Sequence, residues 1–159
     1  MLTIARKIDI FDIMADVILD TNFIITCVKQ RIDFFEEIKL MGLSILISEQ
    51  VIEELEKIGY EENLPEARTA LKILESHDYN LLALERGSAD KGIINYAKSH
   101  KDIIVATLDK DLKFSIPNQK LVIMGKKKLE IVWIKPFSHI ITFLNQLLLF
   151  FVGKMFYIT

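Results

Sequence analysis

Several acidic side chains of this chain stand where a buried sheet would bring carboxylates together. Asp20 ends one apolar run and is followed by Thr-Asn, and Asp109 ends a second apolar run. A carboxylate at the end of an apolar strand is costly to bury without a partner. Asp90 and a glutamate, Glu53 or Glu54, fall in stretches with helical spacing. If the two strands are neighbours, the pattern predicts one cluster of carboxylates.

Such a cluster has a clear chemical consequence. Carboxylates a few ångströms apart repel one another and raise one another's pKa values. A divalent cation reverses that balance and keeps the carboxylates ionised. All-oxygen ligands suit Mg²⁺ or Mn²⁺, and either ion can lower the pKa of a bound water and stabilise charge on a phosphoryl oxygen. The residue types therefore indicate metal-dependent phosphodiester hydrolysis.

Each acid also has an ordinary structural explanation. Asp109 could cap the N-terminus of a short helix, and Asp90 near a helix start gains from the helix macrodipole whatever its function. Glu53 and Glu54 could both face solvent. Asp20 is harder to explain in this way, because it follows three apolar residues, Val17 to Leu19, and precedes Thr-Asn. The set points to function only if its members converge.

The elements that must position these acids alternate between strands and helices. Six short apolar runs are predicted strands: residues 16–20, 43–48, 79–84, 102–109, 120–124 and 129–134. Apolar residues at helical spacing fill the intervals and predict helices between Asn22 and Gly42, from an N-cap at Ser48 to Gly59, from Pro65 and from an N-cap at Ser88. This alternation predicts an α/β fold with a parallel sheet between helices. In such sheets the functional crevice lies beyond the carboxyl ends of the strands.

Composition limits the class of protein. The chain has 159 residues, of which 51% are hydrophobic and 26% charged, which is typical of one folded domain. Its formal net charge of −2 excludes a global basic field of the kind that attracts nucleic acid. Cys27 is the single cysteine, which favours a reducing compartment. Because nothing near the N-terminus resembles a secretory signal, we expect a cytoplasmic protein.

The two ends of the chain differ from its middle. We expect an N-terminal extension over residues 1–13, one domain over residues 14–135 and an apolar tail over residues 136–159. The apolar stretch Ile140 to Val152 is shorter than the roughly 20 residues that a membrane-spanning helix needs, so we expect no membrane span. Covering a sheet edge or a dimer surface is the expected role of the tail.

The motifs together resemble those of the PIN domain family, which are small metal-dependent ribonucleases. The resemblance rests on four segments and runs from about Asp16 to Trp133: "VILDTNFII" (17–25), "SEQVIEELEKI" (48–58), "SADKGIINYA" (88–97) and "VATLDKDLK" (105–113). It implies a three-layer α/β/α sandwich around a central parallel five-stranded sheet. That architecture agrees with the alternation of strands and helices.

The resemblance also implies the roles of site residues. The four acidic catalytic and metal-binding positions would be Asp20, Glu54, Asp90 and Asp109, holding Mg²⁺ or Mn²⁺. Glu54 is favoured because a leucine follows it directly, as in the family, and Glu53 is the alternative. Asn22 would help order the site, Thr107 would hydrogen-bond within the acidic cluster, and Asp111 would contribute through water.

The implied function is a Mg²⁺- or Mn²⁺-dependent endoribonuclease, closer to archaeal relatives of rRNA-processing nucleases than to toxins. Two alternatives stay open: a toxin-type ribonuclease with an antitoxin partner, and a non-catalytic RNA-binding or assembly module on the same fold. A phosphatase of the haloacid-dehalogenase type is disfavoured, because that chemistry needs an Asp where Asn22 stands. The expected partners are RNA, a second copy of the chain, and an antitoxin or a ribosome-assembly protein.

RNA binding by a mildly acidic protein would need a local basic surface. Lysines close to the acidic motifs could form a basic rim that contacts phosphates: Lys91, Lys98, Lys101, Lys110, Lys113 and Lys126 to Lys128. Any one of them could equally be ordinary solvated surface. We therefore expect a basic rim only as a property of the group.

Overall fold

The fold consists of one mostly parallel sheet with helices packed on it. A computed structural model describes residues 15–85 and 87–133. The sheet has the order β3-β2-β1-β4-β5-β6. Its strands are β1 (Asp16–Leu19), β2 (Ser44–Ser48), β3 (Asn80–Leu82), β4 (Ile104–Ala106), β5 (Lys120–Met124) and β6 (Lys128–Val132).

Six α-helices connect these strands: α1 (Thr21–Gln30), α2 (Phe34–Leu40), α3 (Glu49–Glu56), α4 (Pro65–Glu75), α5 (Ala89–Ser99) and α6 (Lys110–Ser115). The predicted α/β/α architecture and its five parallel strands are confirmed. A sixth strand, β6, adds to them and runs antiparallel to β5. Its direction follows from the short turn between the two strands, because a parallel connection needs a longer crossover.

The predicted extension 1–13 and tail 136–159 lie outside the described residues. The domain boundaries therefore stay predictions. Among the helices that the structure describes, none has the length and apolar character that crossing a membrane requires.

The strand β1 lies at the centre of the core. Val17, Ile18 and Leu19 are fully buried, as expected for a parallel strand that is covered on both faces. Cys27 on α1 is also buried, which agrees with a packing role. The helices α1, α3 and α4 pack against one another. The helix that follows β1 is consequently held by two neighbouring helices.

The strand order reverses between β1 and β4. From β1 the chain builds outward to β2 and β3, and from β4 it builds in the opposite direction. Leu19 pairs with Ala106, and the backbone N–H of Asp20 donates to the carbonyl of Ala106 at 3.0 Å. Asp20 and Thr107 therefore leave the sheet side by side, at the crevice where α/β folds place ligands.

Two helix-boundary predictions had different outcomes. Ser48 caps α3 as predicted, since its hydroxyl accepts the Val51 N–H at 3.3 Å. Ser88 stands at the N-cap position of α5, but its side chain makes no capping hydrogen bond. Ser88 therefore marks the start of α5 without capping it through its hydroxyl.

The predicted helix end at Gly59 is wrong. The helix α3 ends at Glu56 and continues into a π-helical turn over Lys57–Glu61 that includes Gly59. A Cβ atom at Gly59 would lie 3.1 Å from Cγ of Arg68, and Arg68 Nη1 donates to the Gly59 carbonyl at 2.8 Å. The glycine therefore permits close packing against α4 rather than stopping a helix.

The outermost strand β6 is held by a helix as well as by β5. The backbone N–H of Leu129 donates to Oε2 of Glu37 on α2 at 2.9 Å. Leu129 itself is buried. A carboxylate from α2 therefore occupies a backbone donor of β6, the edge strand of the described sheet.

Candidate active site

Asp20 is a buried carboxylate at the end of β1. Only 2% of the residue is exposed, and its Oδ2 accepts a hydrogen bond from Thr107 Oγ1 at 2.8 Å. Within residues 15–85 and 87–133, the charges that reach Asp20 come from two other acids, Asp90 and Glu54. The buried carboxylate thus has a hydroxyl partner, and no cationic side chain of the described residues balances its charge.

This environment favours the protonated acid. Burial raises the pKa of Asp20 from 3.8 to about 6, and the negative charges of Asp90 and Glu54 raise it as well. The Thr107 hydrogen bond and the backbone of Thr21 act in the opposite direction and lower the pKa. An ionised Asp20 is therefore held at a free-energy cost, which a bound cation would remove.

Thr107 links the acids at the ends of β1 and β4. Thr107 is fully buried. While its hydroxyl donates to Asp20, the same oxygen accepts the backbone N–H of Asp109 at 3.1 Å. Oδ1 of Asp109 accepts the Leu112 N–H at 2.8 Å and so caps α6. Because a carboxylate has two oxygens, this cap and a ligand role are compatible.

Glu54 reaches the same region from α3. Val51 and Leu55 are the buried residues of this helix, and this rotation turns Glu54 toward α1. Its Oε2 accepts a hydrogen bond from Thr21 Oγ1 at 2.7 Å. The charge of Glu54 raises the pKa of both Asp20 and Asp90, whereas Glu53 contributes to neither. Of the two glutamates left open by the sequence, Glu54 is the one placed with the other acids.

Asp90 completes the group from the first turn of α5. Its pKa is raised by partial burial and then by the charges of Glu54 and Asp109. Gly92 lets this helix approach the preceding loop, because a Cβ there would lie 2.9 Å from Cδ1 of Leu84. Gln50 of α3 donates to the Leu84 carbonyl at 3.3 Å. The loop residue Leu84 thus connects the first turn of α3 to the first turn of α5.

The four acids are electrostatically coupled without forming a finished coordination shell. In the part of the chain that the structure describes, no group of three or more acidic, histidine or cysteine side chains is arranged to hold a metal ion. Three of the carboxylates instead accept protein hydrogen bonds, from Thr107, Leu112 and Thr21. Mutual repulsion opposes closer approach of ionised carboxylates. The carboxylate oxygens suit a hard divalent cation. To coordinate one ion together, the four side chains would have to move closer to one another.

Two predicted site residues stand at the border of this group. Asn22 lies in the first turn of α1 and Asp111 in the first turn of α6, and both are exposed. The backbone carbonyl of Asp111 accepts the Ser115 hydroxyl at 2.6 Å. The roles of Asn22 and Asp111 stay predictions.

Sequence reasoning missed two residues that organise the site. The sequence indicates Thr21 only as part of Asp-Thr-Asn, and it gives no signal for Gln50. Their partners lie 33 and 34 residues away, so no local spacing signals them. A hydroxyl directly after a strand-end acid was the one available hint.

The variant Thr107→Val tests the link between the two strand ends. It removes the donor to Asp20 and the acceptor of the Asp109 N–H, and should lower the free energy of unfolding by about 1–3 kcal/mol. Because the Thr107 hydrogen bond lowers the pKa of Asp20, that pKa should rise. Denaturant unfolding and an NMR titration of the carboxyl carbon measure both effects. An unchanged pKa of Asp20 in a folded variant would contradict the role of the Thr107 hydrogen bond.

The chain belongs to the PIN-like domain family, whose model matches residues 17–127. The matched range contains all four coupled acids. The family is one of nucleases, so the fold and site together place this chain among proteins that act on nucleic acid.

Individual relatives have more specific names. Ribonuclease VapC4 of Methanocaldococcus jannaschii is 32% identical over 117 residues, covering 70% of this chain and 89% of that protein. The rRNA-processing protein fcf1 of Schizosaccharomyces pombe is 40% identical over 102 residues, covering 61% of this chain. The match spans only 50% of the length of fcf1.

Among solved structures, the PIN domain endonuclease Utp24 is similar in fold. Its TM-score is 0.65 at 32% identity, and the match covers 76% of this chain and 93% of that one. The resemblance seen in the motifs is thereby confirmed at the level of family and fold.

Proposed function

We propose that this chain is a Mg²⁺- or Mn²⁺-dependent endoribonuclease that hydrolyses phosphodiester bonds in RNA. The observation that carries the proposal is the environment of Asp20 in a nuclease fold: a buried carboxylate that, among the described residues, has no cationic partner and is faced by two further acids. A buried charge of this kind needs a counter-charge to stay ionised.

Four residues would hold the ion: Asp20, Glu54, Asp90 and Asp109. When bound, a divalent cation lowers the pKa of water and stabilises negative charge on a phosphoryl oxygen. Thr107 fixes the orientation of Asp20 through its 2.8 Å hydrogen bond. Asn22 and Asp111 are proposed as outer contacts at the rim of the site.

Lysines at the same edge of the sheet support RNA binding. Lys91 follows Asp90 in α5, and Lys110 and Lys113 lie on α6 beside Asp109. Lys127 and Lys128 are exposed at the carboxyl end of β5. We propose that these side chains contact phosphates and so attract RNA electrostatically.

Two of the predicted rim lysines are separated from this edge. The helix α5 starts at the site and returns to the opposite edge, where β4 begins. Lys98 and Lys101 therefore lie at the far end of the sheet. We leave them out of the proposed RNA-binding surface.

For the cellular role we propose rRNA processing. The 40% identity to the rRNA-processing protein fcf1 and the fold match to Utp24 favour it. The match to Ribonuclease VapC4 across 89% of that protein favours a toxin as the second candidate. A ribosome-assembly protein would be the partner in the first case and an antitoxin in the second. Self-association and a cytoplasmic location remain predictions.

Removal of metal tests the proposed activity. We expect cleavage of single-stranded RNA, including precursor rRNA, with Mg²⁺ or Mn²⁺, loss of cleavage in EDTA, and recovery when either ion is restored. End-labelled RNA on a denaturing gel measures it. RNA that is bound but never cut would contradict the proposal and leave the non-catalytic module. Cleavage confined to one non-ribosomal RNA would favour the toxin.

A further inference from the structure

The threonine between Asp20 and Asn22 makes a contact that crosses the fold. Thr21 is the first residue of α1 and only 1% of it is exposed. Its Oγ1 donates to Oε2 of Glu54 on α3 at 2.7 Å. The distance is the ordinary one for a hydrogen bond from a hydroxyl to an oxygen.

The two partners differ in mobility. A glutamate loses considerable rotamer entropy when it is fixed in one conformation. Glu54 is an exposed side chain on α3, so it starts with that freedom. Thr21 is β-branched and buried in a helix, which restricts its χ1 torsion. A rigid donor therefore holds a flexible acceptor.

The contact also selects between the two glutamate oxygens. Oε2 is engaged by Thr21, which leaves Oε1 as the oxygen to meet an incoming cation. Thr107 does the same for Asp20, whose Oδ2 it engages. Two hydroxyls, one on each side of the β1 end, thus orient one carboxylate each.

We propose that Thr21 is a positioning residue that orients Glu54 for binding of a divalent cation. The inference rests on the proposed function, because it assigns the second acid to the same ion. Thr21 acts through Glu54 and makes no contact with RNA. Removal of its hydroxyl should weaken cation binding and slow cleavage while leaving the KM for RNA unchanged.

The variant pair Thr21→Val and Thr21→Ser separates the hydroxyl from packing. We expect Thr21→Val to weaken Mn²⁺ binding by about tenfold, since it removes a hydrogen bond to a charged acceptor, and to lower kcat by a similar factor. Thr21→Ser should restore both. Isothermal titration calorimetry with Mn²⁺ alone reports on the site without turnover. Thr69→Val is the control, because Thr69 lies on the exposed face of α4 and its hydroxyl donates to the Pro65 carbonyl of the same helix.

A double-mutant cycle tests whether the effect passes through Glu54. In a Glu54→Gln background, Thr21→Val should change Mn²⁺ affinity by less than about twofold, since coupled residues are not additive. Additive losses would overturn the proposal, as would equal losses in Thr21→Val and Thr21→Ser. If Thr21→Val fails to show a cooperative thermal transition, Thr21→Ala takes its place.

The controls distinguish the two levels of the hypothesis. A wild-type chain that neither binds Mn²⁺ nor cuts RNA would overturn the proposed function and this inference with it. A wild-type chain that does both, with a Thr21→Val variant that matches it, would overturn only the role of Thr21.

Discussion

Asp20→Asn is expected to reduce metal-dependent RNA cleavage by roughly a thousandfold, comparable to the loss of a main electrostatic contributor in other enzymes. The amide has nearly the shape of the carboxylate and can still accept the Thr107 hydrogen bond. It carries no charge, so the proposed cation loses its most buried ligand. Single-turnover cleavage of labelled RNA in Mg²⁺ measures the effect.

A remote substitution of the same type serves as the control. Asp102 is exposed just before β4, at the opposite edge of the sheet from the site. Asp102→Asn should cleave RNA at the wild-type rate. Equal rates for wild type and Asp20→Asn would remove the basis of the proposed mechanism.

Asp20→Asn should also stabilise the folded protein in the absence of metal. Burial raises the pKa of Asp20 from 3.8 to about 6. Between these values the folded state binds more protons than the unfolded state, so the free energy of unfolding falls as pH rises. A difference of this size corresponds to about 3 kcal/mol once the pH exceeds the folded-state pKa. Asp20→Asn avoids that loss.

Unfolding at several pH values measures the second effect. The stability gap between Asp20→Asn and wild type should widen from about pH 4 to about pH 7 and then level off. Added Mn²⁺ should raise the unfolding temperature of the wild type, because it binds the folded state, but not that of the variant. A stability difference that does not change with pH would show that folding does not raise the pKa of Asp20.

Much of the architecture could be predicted because the central strands have a recognisable apolar sequence. The runs before Asp20 and Asp109 are almost entirely apolar, which is the pattern expected of a parallel strand buried on both faces. The Ser48 cap of α3 was equally readable, since its signal is local. General rules for parallel sheets placed both strand ends at one crevice, but only on the condition that the two strands are neighbours, and the structure meets that condition.

The finer features of the site depend on contacts that local patterns do not contain. The choice between Glu53 and Glu54 depends on the rotation of α3 about its axis, which packing at Val51 and Leu55 sets. The Thr21 contact depends on the approach of α1 to α3. Gly59 misled the prediction because its role is to admit Arg68, a neighbour that spacing along the chain does not reveal.

The carboxylate of Glu37 bound to the Leu129 N–H has a bearing on self-assembly. Outer strands with open backbone donors recruit strands from other molecules and can template aggregates. Here an incoming chain would have to displace a charged acceptor held at 2.9 Å. Glu37→Gln or Glu37→Ala would weaken this hydrogen bond and make edge-to-edge association of β6 with other copies of the chain more favourable.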